Sequence, residues 1–103
     1  MAYLVQVDFT FEGPFGEDMV KEFTDIANSI NEEPGFIWKI WTENKETKEA
    51  GGIYLFETKH DAETYLEMHT KRLKGFGIKS VNGKIFEVNK QLTTLNKGPL
   101  QSV

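Results

Sequence analysis

The chain has 103 residues with a formal net charge of −4, and 39% of its residues are hydrophobic. This length suits one domain, and the acidic balance excludes the strong basic patch with which proteins bind nucleic-acid phosphates. The absence of cysteine excludes disulfides, thiolate metal sites, iron–sulfur clusters and a cysteine nucleophile. The sequence has no apolar run long enough to span a membrane and no signal-peptide pattern, so we expect a cytoplasmic protein without a membrane or nucleic-acid partner.

The first third of the chain predicts a strand followed by a helix. Residues 3–11 alternate apolar and polar side chains, which is typical of a strand, and Gly13-Pro14 breaks it. Residues 17–31 place apolar side chains on one helical face, with two acidic residues in the first turn, where the helix dipole favours negative charge. Pro34 closes this helix, because the residue before a proline avoids the helical conformation.

The stretch from residue 34 to residue 42 predicts the second strand. A Pro-Gly turn precedes a run rich in aromatic and β-branched residues. Simple alternation directs Trp38 and Trp41 to opposite faces, both of which are apolar. We therefore expect both faces of this sheet to be covered. Residues 50–57 predict a third strand in a hairpin with the second, and Gly51-Gly52 indicates a bulge or a close backbone approach.

A second helix and a fourth strand complete the pattern. Thr58 is the expected N-cap, the helix extends to about Lys74, and Gly75 is expected at the C′ position that follows it. Residues 80–88 predict strand four. Residues 89–103 form a polar C-terminal tail with three spaced leucines, which fits either a short helix or a docking segment.

The element order β-α-β-β-α-β defines the fold class. It is the ferredoxin-like α+β pattern, in which a four-stranded antiparallel sheet carries two helices on one face. We expect residues 1–103 to form one such domain. The other face of the sheet would expose a large apolar patch, and a second copy is its simplest cover. The sequence therefore predicts a homodimer through the open sheet face.

His69 is the main candidate for a catalytic residue. It lies on the inward arc of the second helix, with Tyr65 one turn before it and Arg72 three residues after it. A neutral imidazole in an apolar pocket can act as a base or as a hydrogen-bond partner of a phenolic substrate. The alternative is a core histidine bonded to a backbone carbonyl. His60 lies about 13 Å of helical rise from His69, too far to share an ion, so no metal site is expected.

The two tryptophans have two interpretations. Either one could line a flat pocket for a planar ligand. Alternatively, both fill the core and the interface, which the residues alone favour because buried aromatics mostly pack. Since Trp38 and Trp41 are predicted on opposite faces, at most one of them is expected in a given pocket.

Three blocks of sequence resemble the YdhR-type family, whose members are described as monooxygenases. They are PGFIWKIWTE at residues 34–43, EAGGIYLF at residues 49–56 and YLExHTxRL at residues 65–73. The family is part of the dimeric α+β barrel superfamily, alongside antibiotic-biosynthesis monooxygenases. The resemblance therefore implies two ferredoxin-like sheets that pack face to face to form one barrel.

The resemblance also implies a chemistry. The superfamily includes oxygenases that use no metal or flavin, in which an electron-rich phenol or hydroquinone gives electrons to dioxygen. It implies no cofactor, a pocket between helices and sheet, and His69 as base or hydrogen-bond partner. Arg72 would steady an anion. The expected substrate-binding residues are Trp38, Tyr54, Tyr65, Arg72 and Trp41.

Between the tryptophans, we favour Trp38 as the pocket residue, because Phe36 and Ile40 beside it would supply an apolar wall. Two other functions stay open at this point. One is a non-catalytic dimeric module that binds a small hydrophobic ligand, and the other is haem binding or degradation.

Overall fold

The computed structural model describes residues 2–100, and its element order confirms the β-α-β-β-α-β pattern with one short helix added at the end. The strands are β1 Tyr3–Thr10, β2 Phe36–Asn44, β3 Glu49–Phe56 and β4 Asn82–Glu87. The helices are α1 Gly16–Ile30, α2 Lys59–Gly75 and α3 Lys90–Leu95. Within residues 2–100, no helix has the length and apolar character needed to cross a membrane.

The four strands form one antiparallel sheet in the order β2-β3-β1-β4, as the ferredoxin-like fold requires. α2 packs on β1, β3 and β4, and α1 reaches the same face through Ile26 and Ile30. Both helices therefore cover one face of the sheet, and the main core lies beneath them. Its buried members are Val5, Val7, Ile30, Tyr54, Phe56, Ala62, Tyr65 and Leu73.

The two ends of α2 are fixed by local hydrogen bonds. At its start, the backbone N–H of Asp61 donates to Thr58 Oγ1 at 3.0 Å, which confirms the predicted N-cap. At its end, the N–H groups of Gly77 and Ile78 donate to carbonyls of the last turn, as in a Schellman motif. Gly77, at φ +97°, takes the left-handed position. The prediction that Gly75 takes the C′ position is wrong by two residues, because Gly75 is the last residue of the helix and Gly77 occupies C′.

Strand β2 contains a β-bulge between Phe36 and Trp38. Phe36 lies on the helix side, with its ring centroid 6.0 Å from that of Phe56. Beyond the bulge, Trp38 lies on the open face, and Lys39 and Trp41 lie on the helix side. The prediction of unbroken alternation is wrong here, because the extra residue of a bulge reverses the faces of the residues that follow.

The open face of the sheet carries a second, smaller cluster. Its buried members are Ala2, Leu55 and Leu100. Trp38 packs against this cluster, and its indole Nε1–H donates to the carbonyl oxygen of Pro99 at 2.9 Å. Residues 89–100 of the tail thus form a short helix and also dock over one end of the open face, and residues 101–103 lie outside the described part of the chain. Beyond the docked tail, Ile40 and Phe86 stay 51% and 48% exposed.

The two adjacent glycines of β3 allow neighbouring strands and side chains to come close to the β3 backbone, and they do not form a bulge. A Cβ atom at Gly51 would collide with the backbone carbonyl of Val7 on β1. A Cβ atom at Gly52 would lie 2.6 Å from the Cε atom of Lys39. The first glycine therefore lets two strands pair, and the second leaves room for a side chain of β2.

Candidate active site

A cavity of about 410 Å³ lies between the sheet and the two long helices. This volume falls within the range of small-molecule sites. The apolar part of its wall comprises Phe9, Phe11, Phe23, Ile26, Trp41, Leu73, Phe76 and Ile78. The polar side chains that reach it are Glu22, Lys39, Tyr54, His69 and Arg72. The Schellman motif at the end of α2 supplies Phe76, which is 59% exposed and lies at the rim.

His69 is the centre of a buried hydrogen-bond group and is only 6% exposed. Its Nδ1 atom lies 3.0 Å from Arg72 Nη2, and its Nε2 atom lies 3.1 Å from the Tyr54 hydroxyl. A guanidinium can only donate, so Nδ1 must accept. The hydrogen of the neutral ring is then on Nε2, which donates to the Tyr54 oxygen. His69 is therefore bonded to two side chains rather than to a backbone carbonyl.

The protonation state of His69 follows from its surroundings. Burial, together with the positive charges of Lys39 and Arg72, lowers the pKa of His69 to about 3. The ring is neutral at cellular pH, and both nitrogens are already engaged. This geometry argues against the proton-accepting base, and it makes His69 the hydrogen-bond partner of Tyr54 and Arg72.

The two tyrosines of the group have different positions. Tyr54 is fully buried within the core, its hydroxyl contacts His69, and its ring borders the cavity. Tyr65 lies behind His69, with the ring centroids 5.2 Å apart in a stacked arrangement, and its hydroxyl accepts a hydrogen bond from Arg72 at 3.3 Å. Burial raises the pKa of both Tyr54 and Tyr65, so both stay protonated. Tyr65 therefore supports the site without lining the cavity.

Arg72 donates hydrogen bonds to these side chains, but one of its N–H groups has no partner among them. Its Nη2 atom donates to both His69 and Tyr65. Its Nε atom is buried and has no hydrogen-bond partner within residues 2–100. Because a buried polar atom without a partner is costly, the guanidinium keeps an unmet hydrogen-bonding capacity in this site.

Lys39 is one of two polar residues of the cavity that the sequence reasoning missed, and the other is Glu22. Its Nζ atom lies 3.3 Å from the centroid of the Trp41 ring and 4.6 Å from that of Tyr54. Burial, followed by the charge of Arg72, lowers the pKa of Lys39 to about 7. One signal was present in the sequence: Lys39 is the only charged residue of the apolar run from Phe36 to Trp41. Simple alternation could not assign it to the cavity.

The tryptophan of the cavity is Trp41, whose ring stacks on Phe23 with the centroids 6.3 Å apart. The preference for Trp38 is wrong, because the bulge in β2 turns Trp38 toward the open face and the tail. The structure therefore brings together Tyr54, His69, Arg72 and Trp41 around one cavity, with Tyr65 behind them. Within the described part of the chain, no three histidine or acidic side chains cluster in a way that could hold a metal ion.

An apolar cavity with a few convergent polar side chains, enclosed by a ferredoxin-like sheet and its helices, is suited to the chemistry of a small molecule. The family model described as "Putative mono-oxygenase ydhR" matches residues 4–99. The chain therefore belongs to the ydhR mono-oxygenase family, and this membership supports monooxygenase activity in general without naming a substrate.

One solved structure with a similar fold is SnoaB, a cofactor-independent oxygenase from Streptomyces nogalater, determined in a mutant form. The two proteins share 14% sequence identity with a TM-score of 0.62, over 85% of this chain and 93% of SnoaB. At this identity the similarity shows the fold. No curated protein matches the chain.

Proposed function

We propose that this protein is a monooxygenase that acts on a small aromatic substrate of the phenol or hydroquinone type, without a metal or flavin. The observation that carries the proposal is the buried Tyr54–His69–Arg72 group at the wall of an otherwise aromatic cavity. Aromatic walls favour a planar ligand, and the few polar groups would fix its orientation. Membership of the ydhR family and the fold shared with SnoaB support the same activity.

The electron balance of such a reaction closes without a cofactor. When a CH2 group between two aromatic rings becomes a carbonyl, the substrate loses two hydrogens and supplies four electrons. One oxygen atom of O2 enters the new C=O group, and the other leaves as water with the two hydrogens. The role of the protein is to orient the substrate, exclude water and stabilise the anion from which the electrons leave.

Each side chain of the site has a proposed part in this chemistry. Tyr54 orients the substrate through its hydroxyl, His69 holds Tyr54 and Arg72 in place by its two hydrogen bonds, and Arg72 steadies negative charge on the substrate oxygen. The rings of Trp41 and Phe23 form a stacking wall. Tyr65 is a positioning residue, since it contacts His69 and Arg72 from behind.

Oxygen uptake tests this function. The purified, metal-free protein is incubated with hydroquinones and anthrone-like phenols, with boiled protein as control, and protein-dependent uptake is expected. His69→Ala should lower turnover by roughly 10²-fold, the scale of a lost acid–base or hydrogen-bonding group. His60→Ala is the matched control, because His60 is exposed on the first turn of the same helix. If ligands bind without uptake, the protein is a binding module rather than an oxygenase.

A homodimer through the open sheet face is proposed as the working form. Ile40 and Phe86 leave apolar surface on this face beyond the reach of the tail, and a second copy would bury it. Light scattering at micromolar concentration should give twice the mass of the chain. A monomer under these conditions would contradict the proposal.

A further inference from the structure

Two features of the sheet direct the Lys39 side chain into the cavity and make room for it there. The bulge in β2 turns its side chain toward the helices, and Gly52 on β3 leaves the space that its Cε atom fills. Its ammonium lies against the rings of Trp41 and Tyr54, at 3.3 and 4.6 Å from their centroids. An amine is thereby held inside an aromatic cavity at a defined position.

The charges around this amine are unbalanced. The groups that face it are Arg72 and His69 from α2, Tyr54 from β3, and Glu22 from α1, whereas β1 contributes only apolar side chains to the cavity. Within residues 2–100, no carboxylate lies within salt-bridge distance of Lys39 or Arg72. The buried Nε atom of Arg72 has no partner in the same part of the chain. Two cations without a counter-ion suit a ligand that carries one negative charge on oxygen.

The groups of the cavity also differ in their ability to accept a proton. His69 accepts a hydrogen bond at Nδ1 and holds its hydrogen at Nε2, so neither nitrogen is free. Tyr54 is protonated, because burial raises the pKa of its hydroxyl. Burial and the charge of Arg72 bring the pKa of Lys39 to about 7, so a neutral amine is present in a good fraction of molecules at cellular pH.

We propose that Lys39 accepts the proton of the substrate's phenolic hydroxyl, and that Lys39 and Arg72 then hold the phenolate. This inference rests on the function proposed above and narrows its substrate class to aromatics with an ionisable hydroxyl. In the step, the substrate O–H bond breaks and a new N–H bond forms on Lys39. The electron pair stays on the substrate oxygen, between the ammonium and the guanidinium.

The test uses 4-nitrophenol, whose ionised form alone is yellow, so its colour reports the protonation state of the bound probe. At about pH 6.5, where most of the free probe is protonated and part of Lys39 is still a neutral amine, titration with wild-type protein should produce the phenolate band. Lys39→Met should bind the probe about 10-fold more weakly and without the band. Lys45→Met, at an exposed lysine in the β2–β3 turn, should behave as wild type.

Lys39→Arg separates charge from proton transfer. Arginine keeps the positive charge but cannot accept a proton, so in this variant the proton of the bound probe should be released to the solvent, whereas wild-type Lys39 retains it. A weakly buffered titration at about pH 7, where part of Lys39 is a neutral amine, measures this difference in proton release. The inference is overturned if the wild-type protein binds no probe at millimolar concentration, if the bound probe stays neutral, or if Lys39→Met gives the same band and affinity.

Oxygen uptake distinguishes failure of this inference from failure of the proposed function. Phenolate binding that depends on Lys39, without uptake of oxygen for any substrate, supports the anion site and removes the monooxygenase. Uptake that Lys39→Met leaves unchanged, with the same pH profile, supports the monooxygenase and overturns the role of Lys39.

Discussion

The burial of Lys39 has a measurable effect on the stability of the protein. In the unfolded chain this lysine has its ordinary pKa of 10.5, whereas in the folded protein its pKa is about 7. Between these values the unfolded chain holds a proton that the folded protein lacks. Unfolding therefore takes up a proton in this range, and the free energy of unfolding rises with pH. Below about pH 7 the folded protein must bury a charged ammonium, so Lys39 destabilises the folded state most in that range.

The size of this effect follows from the same two pKa values. The difference between a pKa of 10.5 and a pKa of about 7 changes the free energy of unfolding by about 5 kcal/mol over the full titration range. Between about pH 6 and pH 9.5, about 2.5 pH units lie above the folded pKa, so we expect a change of about 3 kcal/mol in this range.

Lys39→Met isolates this contribution, because methionine fills a similar volume and does not titrate. Urea denaturation of wild type and variant is compared at several pH values. The free energy of unfolding of the variant should exceed that of the wild type most at about pH 6, and this advantage should shrink by about 3 kcal/mol by about pH 9.5. The His69 proton cancels in the difference, since folded His69 is neutral throughout this range. Lys45→Met should show no such pH dependence, and a constant difference for Lys39→Met would refute the reasoning.

Three other substitutions test separate parts of the structure. Gly52→Ala adds a methyl group where Lys39 Cε lies, so we expect Lys39-dependent phenolate binding to fall about 10-fold, while the protein loses only about 1 kcal/mol of stability in urea denaturation. Leu100→Ala removes a buried leucine that anchors the tail, and the free energy of unfolding should fall by about 2 kcal/mol, provided that the docked tail is part of the folded unit. Phe86→Asp places a charge on the open sheet face and should shift the mass measured by light scattering toward the monomer, whereas Val20→Asp, on the exposed side of α1, should not.

The elements of the fold were predictable because each has a local signal. The alternation of β1, the helical spacing of the apolar residues of α1 and the Thr58 cap all depend on residues close in sequence. The helical spacing of Tyr65, His69 and Arg72 likewise places them on one side of α2. The contact between His69 and Tyr54 has no such signal, because it depends on how α2 lies over β3.

The bulge in β2 shows where sequence reasoning stopped. The residue types near Ile37 do not predict a bulge. The bulge follows from the register in which β2 pairs with β3. The extra residue of the bulge reversed the assignment of both tryptophans and placed Lys39 in the cavity. The first site prediction therefore included Tyr54 and the helix residues that meet beside the cavity, preferred Trp38 over Trp41, and omitted the lysine.

The same bulge explains how one strand can serve two surfaces. A regular β2 with Phe36 on the helix side would also place Trp38 there, and Lys39 and Trp41 on the open face. With the bulge, the large indole of Trp38 covers the open face together with the tail, and the amine and the second indole face the cavity. The open face stays apolar, as a dimer through it would require, and the cavity gains its cation and its stacking wall. The irregularity of β2 thus separates the surface proposed for assembly from the surface proposed for chemistry.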